Sequence, residues 1–219
     1  MSKHAYMQKA FLDRVRQDHP NAAHVVATIN AIGEVLDRLE TNATALENDR
    51  NLTAVGRSAK LTEIVRSQIA KEFAVASKSA RKAPAMLKAQ RDALGLPKID
   101  RCDMVGELRR QELRAYVRGL DMADRMKAAF DPEIADAQFD APRALSGLPA
   151  EIFEQAKQQR IRDLHGPKLE ELQSIEDVYA CASGMAGAAR HAIFEKSGLT
   201  PDGFTALLRP HAGLFNALN

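Results

Sequence analysis

The sequence predicts an all-α protein in which a long antiparallel helical hairpin packs with a smaller helical bundle region. Of the 219 residues, 37 are alanine, 27% are charged and only 5% are aromatic, and runs of β-branched residues are few. Apolar residues recur at helical spacing along most of the chain. No segment of the sequence alternates apolar and polar residues with the period of two that is typical of a strand.

The first arm of the hairpin follows a short helix that we expect over residues 3–18, ended by Pro20. Successive apolar positions of this arm are separated alternately by three and four residues, which is the pattern of a coiled coil or of a long bundle helix. This heptad seam consists of Ala22, Val25, Ile29, Ile32, Leu36, Leu39, Ala43 and Leu46. The pattern leaves open whether the seam pairs within one chain or between chains.

The second arm begins near Thr53, a suitable N-cap, after a tight loop at residues 48–51. Its apolar positions continue in phase past Pro84, which predicts one kinked helix that closes at Gly95. These positions are Leu61, Val65, Ile69, Phe73, Ala76, Ala80, Ala83, Leu87 and Leu94. Together with the N-terminal helix, the hairpin forms a predicted first region over residues 1–98.

The predicted second region, residues 99–219, contains shorter helices and one long Ala-rich helix. Asp103, Asp121 and Asp131 each precede a helical segment and are candidate N-caps, and residues 140–149 are expected to form a loop. An alternative is that both regions form one continuous elongated domain.

The Ala-rich helix is expected to follow a helix over residues 150–164 and a break at residues 165–167. It should end at Gly198, a residue type that suits a left-handed C-terminal cap. Its predicted packing positions include Ala182, Ala186 and Ala189, and the small residues around Gly184 should let another helix approach closely. A last short helix begins at residues 200–201, and the apolar tail LFNALN is expected to dock.

Charge is distributed unevenly, although 31 Lys and Arg nearly cancel 29 Asp and Glu over the whole chain. Residues 54–98 carry ten basic and three acidic side chains, whereas residues 131–177 carry five basic and eleven acidic ones. On an uninterrupted helix, five cations of the first segment follow one line opposite the apolar seam, with no carboxylate among them. This basic stripe consists of Arg57, Lys60, Lys71, Lys78 and Lys82.

The basic stripe has three interpretations. It is a surface for nucleic acid or an acidic partner, a solvated face, or the mate of the acidic segment 131–177 in the same or a neighbouring subunit. The last two are favoured, because nucleic-acid platforms usually interleave aromatic side chains with the cations.

Arrangements that carry common enzyme chemistry are not found in the sequence. No histidine stands three residues after a glutamate, and HExxH and GxSxG are absent. His165 at the helix break is interpreted as a turn residue. The sequence therefore predicts no enzyme, and no catalytic residue, metal site, cofactor or small-molecule substrate is inferred.

A second series of cations lies in the second region. It consists of Arg110, Arg114 and Arg118. Because Glu107 and Asp121 share its helix face, the series is predicted to be solvated. A DNA-reading helix-turn-helix is not expected here, since Arg125 stands where a buried aliphatic residue is required.

Compartment signals are few. The N-terminus is charged and lacks an apolar core, which predicts no signal peptide, and residues 178–189 are too short an apolar run to cross a bilayer. Cys102 and Cys181 have no CxxC or histidine companion, which favours reduced thiols in a cytosolic context.

Three phrases resemble small helical proteins encoded among the virion genes of tailed bacteriophages and prophages. They are residues 52–61 (LTAVGRSAKL), residues 103–126 (DMVGELRRQELRAYVRGLDMADRM) and residues 145–149 (LSGLP) followed by a helix. The resemblance covers under a fifth of the chain and carries over no functional residue. It implies a neck or tail adaptor, a scaffold-like protein or an internal protein ejected with DNA, located in the virion or the bacterial cytoplasm.

Two functions are consistent with these patterns. The first is a non-enzymatic structural or assembly protein that forms homo-oligomers through its helical seams and contacts other structural proteins. The alternative is a nucleic-acid-associated protein that binds through the basic stripe in a sequence-tolerant, salt-dependent manner.

Overall fold

The all-α fold class is confirmed by the structure, a computed structural model that describes residues 3–98, 100 and 102–213. Helices are the regular elements, and no strand occurs among the described residues. The α-helices are α1 (Lys3–Leu12), α2 (Ala22–Asn48), α3 (Ala54–Ile64), α4 (Ala70–Ala76), α5 (Lys78–Asp92), α6 (Met104–Gly119), α7 (Met122–Ala128), α8 (Pro132–Phe139), α9 (Ala150–Ser197) and α10 (Pro201–Gly213). A π-helical turn (Val65–Ile69) joins α3 to α4, and a 3-10 turn (Arg143–Leu145) follows α8.

The chain folds as two compact units. The first unit combines the residues up to 88 with those from 173 onward, and the second unit comprises residues 89–172. This division differs from the predicted boundary after residue 98, because the C-terminal half of α9 contributes its apolar side chains to the core of the N-terminal helices. The predicted docking of the tail lies outside the described residues.

The core of the first unit is built around α2. Val25, Ile29, Ile32, Leu36 and Leu39 are all 0% exposed, while Leu46 is partly buried against the same core. The long helix α9 adds further buried positions, among them Ala182, Ala186 and Ala189. Since these side chains are enclosed within one chain, the heptad seam pairs internally and is not free to contact a second chain.

The second predicted arm is not one continuous helix. The sequence predicts one kinked helix with Pro84 inside it, but the backbone departs from helical geometry at Ser77 (φ −88°, ψ 5°), and Pro84 lies within α5. Proline has no N–H to donate to the carbonyl four residues earlier, which is that of Ala80. The Ser183 hydroxyl of α9 donates to this carbonyl at 3.0 Å. The carbonyl that the proline leaves without a helical partner thus accepts a hydrogen bond that links α5 to α9.

Most predicted helix ends are confirmed. The side chains of the predicted N-caps accept hydrogen bonds from backbone N–H groups at 2.8–3.1 Å. These N-caps are Thr53, Asp103, Asp121 and Asp131. Gly198 has the predicted left-handed conformation, with φ +66°. The first helix is shorter than predicted, because α1 ends at Leu12 and Val15 beyond it lies in the core.

The predicted break before the Ala-rich helix is a single non-helical residue inside α9. His165 has φ −125° and ψ 17°, and Pro167 lies just beyond it. The Nε2 atom of His165 lies 2.8 Å from the carbonyl oxygen of Gly95, to which it donates. The histidine thus holds the break to the segment that follows α5.

A small residue in α9 permits close packing of α1, as the sequence predicts. A Cβ atom at Gly184 would lie 2.6 Å from the ring of Phe11, whereas a Cβ atom at Gly187 would meet nothing within 4 Å. Gly184 is therefore the position at which side-chain size is restricted.

We expect the double substitution Ile32→Asp and Leu36→Asp to unfold the first unit. Loss of each buried aliphatic side chain costs about 3 kcal/mol, and enclosing a carboxylate costs several kcal/mol more. The sum equals or exceeds the free energy of unfolding of a typical domain. Circular dichroism and hydrogen exchange should show loss of α2 even in dilute protein. The control Thr41→Asp and Ala45→Asp adds the same charges at exposed positions of α2 and should remain folded. If the first double variant stayed folded and merely failed to oligomerise, the internal pairing would be contradicted.

Candidate interaction surfaces

The basic stripe is present only as separate pieces. The π-helical turn and the departure at Ser77 change the helical phase, so its five cations do not follow one straight line. Lys60, Lys71 and Lys82 are exposed and form no ion pair within the described part of the chain, whereas Arg57 and Lys78 are partly buried. The Nε atom of Arg57 donates to the backbone carbonyl of Leu52 at 3.2 Å.

Several carboxylates of the acidic segment pair with arginines of their own unit. Arg160 donates two parallel hydrogen bonds to Asp136, at 2.8 Å and 2.6 Å, and this contact raises the pKa of the arginine. Asp140 lies 3.3 Å from the Nε atom of Arg110. These carboxylates do not serve as the mate of the basic stripe within this chain.

Arg110 and Arg114 of the α6 series are turned inward, so the prediction of a solvated face was wrong for these two residues, whereas Arg118 is exposed. Arg114 is only 7% exposed and donates to Glu107 at 2.6 Å and to the carbonyl of Ala137 at 3.0 Å. The hydrogen bond from Arg114 is the main cause of the lowered pKa of Glu107. Arg110 donates to the same carboxylate at 3.1 Å. Guanidinium groups can be enclosed in this way because they are paired and hydrogen-bonded.

Arg125 joins the end of α6 to the loop before α9. Its guanidinium donates to the carbonyls of Val117 (3.1 Å), Arg118 (2.8 Å), Leu120 (2.9 Å) and Gly147 (3.1 Å). The carbonyls at a helix C-terminus lack helical partners and carry partial negative charge, so a cation there is favourable. The residue that excluded a helix-turn-helix is thus the cap that holds this junction together.

The inward arginines leave an apolar face of α6 toward solvent. Met104, Val105, Leu108 and Tyr116 are 77%, 79%, 60% and 59% exposed. Three further exposed residues, Glu112, Ala115 and Gly119, complete what we call the outer face of α6. It consists of Met104, Val105, Leu108, Glu112, Ala115, Tyr116 and Gly119. At 100° per residue these positions lie within about 120° of the helix circumference.

Sequence reasoning missed the outer face, although a signal was present. Residues 105, 108, 112, 115 and 119 alternate in spacing between three and four, like the heptad seam of α2. Glu112 interrupts the apolar row. Because the arginine face of α6 was predicted to be solvated, the opposite, apolar face was taken to be buried. Only the partners of the arginines in the fold reveal the true orientation.

A groove in the first unit brings together residues that are distant in sequence. It has a volume of about 850 Å³ and lies between α1 and the C-terminal part of α9. Glu40 forms an ion pair with Lys196 and lies 3.5 Å from the Nε2 atom of His4. The hydrogen bond from Lys196 lowers the pKa of Glu40. With its carboxylate held ionised by a cation, the cluster ties α1, α2 and α9 together.

Two further properties concern the described residues only. Three or more His, Cys, Asp or Glu side chains do not gather anywhere in that part of the chain in a way that would hold a metal ion. Among the described helices, none combines the length and apolar character needed to span a membrane.

No protein-family model, curated protein or solved structure matches this chain.

The Arg125 cap predicts a specific loss of stability in the second unit. Arg125→Lys keeps the charge but replaces the planar, forked guanidinium with an ammonium group, which cannot bond all four carbonyls at once. We therefore expect the local unfolding free energy to fall by about 2 kcal/mol. Urea-dependent hydrogen exchange of peptides from α7 measures this change. Arg118→Lys is the matched control, because Arg118 makes a single 3.4 Å contact with the carbonyl of Leu145. Equal effects of the two substitutions would show that the cap is unimportant.

Proposed function

We propose that this chain is a non-enzymatic structural or assembly protein that acts by helix-mediated self-association. The observation that carries the proposal is the outer face of α6, on which four large apolar side chains are more than half exposed. Contiguous exposed apolar surface is typical of protein–protein contact sites. The heptad seam of α2 has no such role in the proposal, because its side chains are buried within the chain.

The particle in which the chain works is proposed to be the virion of a tailed bacteriophage. The support is the resemblance of residues 52–61, 103–126 and 145–149 to helical virion proteins. The resemblance implies a neck or tail adaptor, a scaffold-like protein or an internal ejected protein. The proposed location is accordingly the virion or, before assembly, the bacterial cytoplasm.

Sedimentation velocity of the full chain, from low to several hundred micromolar, tests self-association. The proposal predicts a reversible shift from the 24.0 kDa monomer to a discrete multimer as concentration rises. The shift should persist in high salt, because burial of apolar surface drives it. A monomer at every concentration would overturn the proposal.

The alternative function, sequence-tolerant nucleic-acid binding, is favoured by one observation. Lys60, Lys71 and Lys82 are exposed and lack ion pairs within the described residues, so their charge is available to phosphates. Nucleic-acid binding is the second candidate, because the π-helical turn and the departure at Ser77 divide the basic stripe.

The alternative predicts that Lys71→Glu with Lys82→Glu abolishes low-salt binding to duplex DNA, measured by fluorescence anisotropy. The control pair Lys127→Glu and Lys168→Glu changes the net charge equally but alters cations that are ion-paired in the second unit. Binding that survives the first pair, or that falls equally with both, excludes the stripe as a specific surface.

A further inference from the structure

We propose that the outer face of α6 is the contact between two copies of this chain, packed antiparallel about a twofold axis. This inference rests on the proposed self-association and names its surface, its partner and its register. The partner is a second copy because reversing one helix brings Glu112 of each copy, which has no ion pair within the described residues, beside Arg109 of the other.

The register follows from the spacing of the exposed positions. In this register each residue faces the residue of the second copy whose number brings the sum to 220. Residues 105, 108, 112 and 115 of one helix then face residues 115, 112, 108 and 105 of the other. Val105 then opposes Ala115, and Met104 opposes Tyr116. Leu108 opposes Glu112, and the Val105–Ala115 pair sets a large side chain against a small one, as interdigitated packing requires. A twofold axis makes every such contact occur twice.

Charge selects the antiparallel arrangement. Glu112 is exposed in the middle of the face and has no ion pair within the described residues. A parallel pair would place it opposite Glu112 of the second copy, which is unfavourable. In the antiparallel register it lies beside Arg109 of the second copy. That side chain is 71% exposed, and its existing ion pair with Glu133 is on the surface, so it can be shared.

The dipole and the length of α6 also affect the contact. Antiparallel packing sets the N-terminal partial positive charge of one α6 beside the C-terminal partial negative charge of the other. A helix of 16 residues is about 24 Å long, and its face buries less area than the roughly 800 Å² per partner of a stable complex. We therefore expect a reversible dimer, which many copies in a particle would strengthen.

Cross-linking with matched single-cysteine variants tests the register. In a background with Cys102→Ser and Cys181→Ala, one protein carries Val105→Cys and another carries Ala115→Cys. The two are treated with a short bismaleimide separately and as an equimolar mixture. Cross-linked dimer is expected in the mixture only, since identical positions would be about 15 Å apart along the helix axes. A product from each variant alone would indicate parallel packing and overturn the register.

A surface variant separates this inference from the proposed function. Leu108→Glu, in sedimentation velocity, should shift the monomer–multimer midpoint at least ten-fold higher in concentration. The control Val55→Glu alters a residue of the first unit that is 80% exposed and should leave the midpoint unchanged. If the parent chain and Leu108→Glu associate equally well, self-association stands and the α6 contact is refuted. If the parent chain is always a monomer, both fail.

Discussion

Burial of the α2 seam inside a single chain is the constraint on which the rest of the structure depends. Five fully buried aliphatic side chains of α2 meet apolar residues of α3, α4 and α9. At about 1.5–3 kcal/mol for each enclosed side chain, this packing dominates the stability of the first unit. It also removes from the surface the pattern that most strongly suggested association between chains. Any contact with a second copy must therefore use another face.

The second unit achieves its fold with a different balance of forces. Its buried apolar cluster is small, built on Ala129, Leu148, Phe153 and Ala156. Guanidinium groups supply much of the rest, by bonding carboxylates and the carbonyls at helix ends. Because α6 directs Arg110 and Arg114 to such acceptors, its apolar residues are left on the opposite side. The same interactions that stabilise the unit thus create the outer face.

Helix type, most N-caps and the core of the first unit could be predicted from sequence, because each depends on local chemistry or on regular spacing. The break at Ser77 could not be predicted, since the apolar phase of the sequence continues through it and Pro84 is the stronger sequence signal for a kink. The orientation of α6 was also beyond pattern reasoning. A series of arginines is normally solvated, and only the Ala137 carbonyl of α8, which accepts from Arg114, and the Asp140 carboxylate, which pairs with Arg110, reverse that preference.

Hydrogen exchange measured at low and high protein concentration tests the central claim most directly, because it reports on both faces in one experiment. The account predicts that amides of α2 are strongly protected and that their protection does not change with concentration. Amides of α6 should gain protection as concentration rises. Protection of α2 that appears only at high concentration would contradict the account, since it would show that the heptad seam is formed between chains.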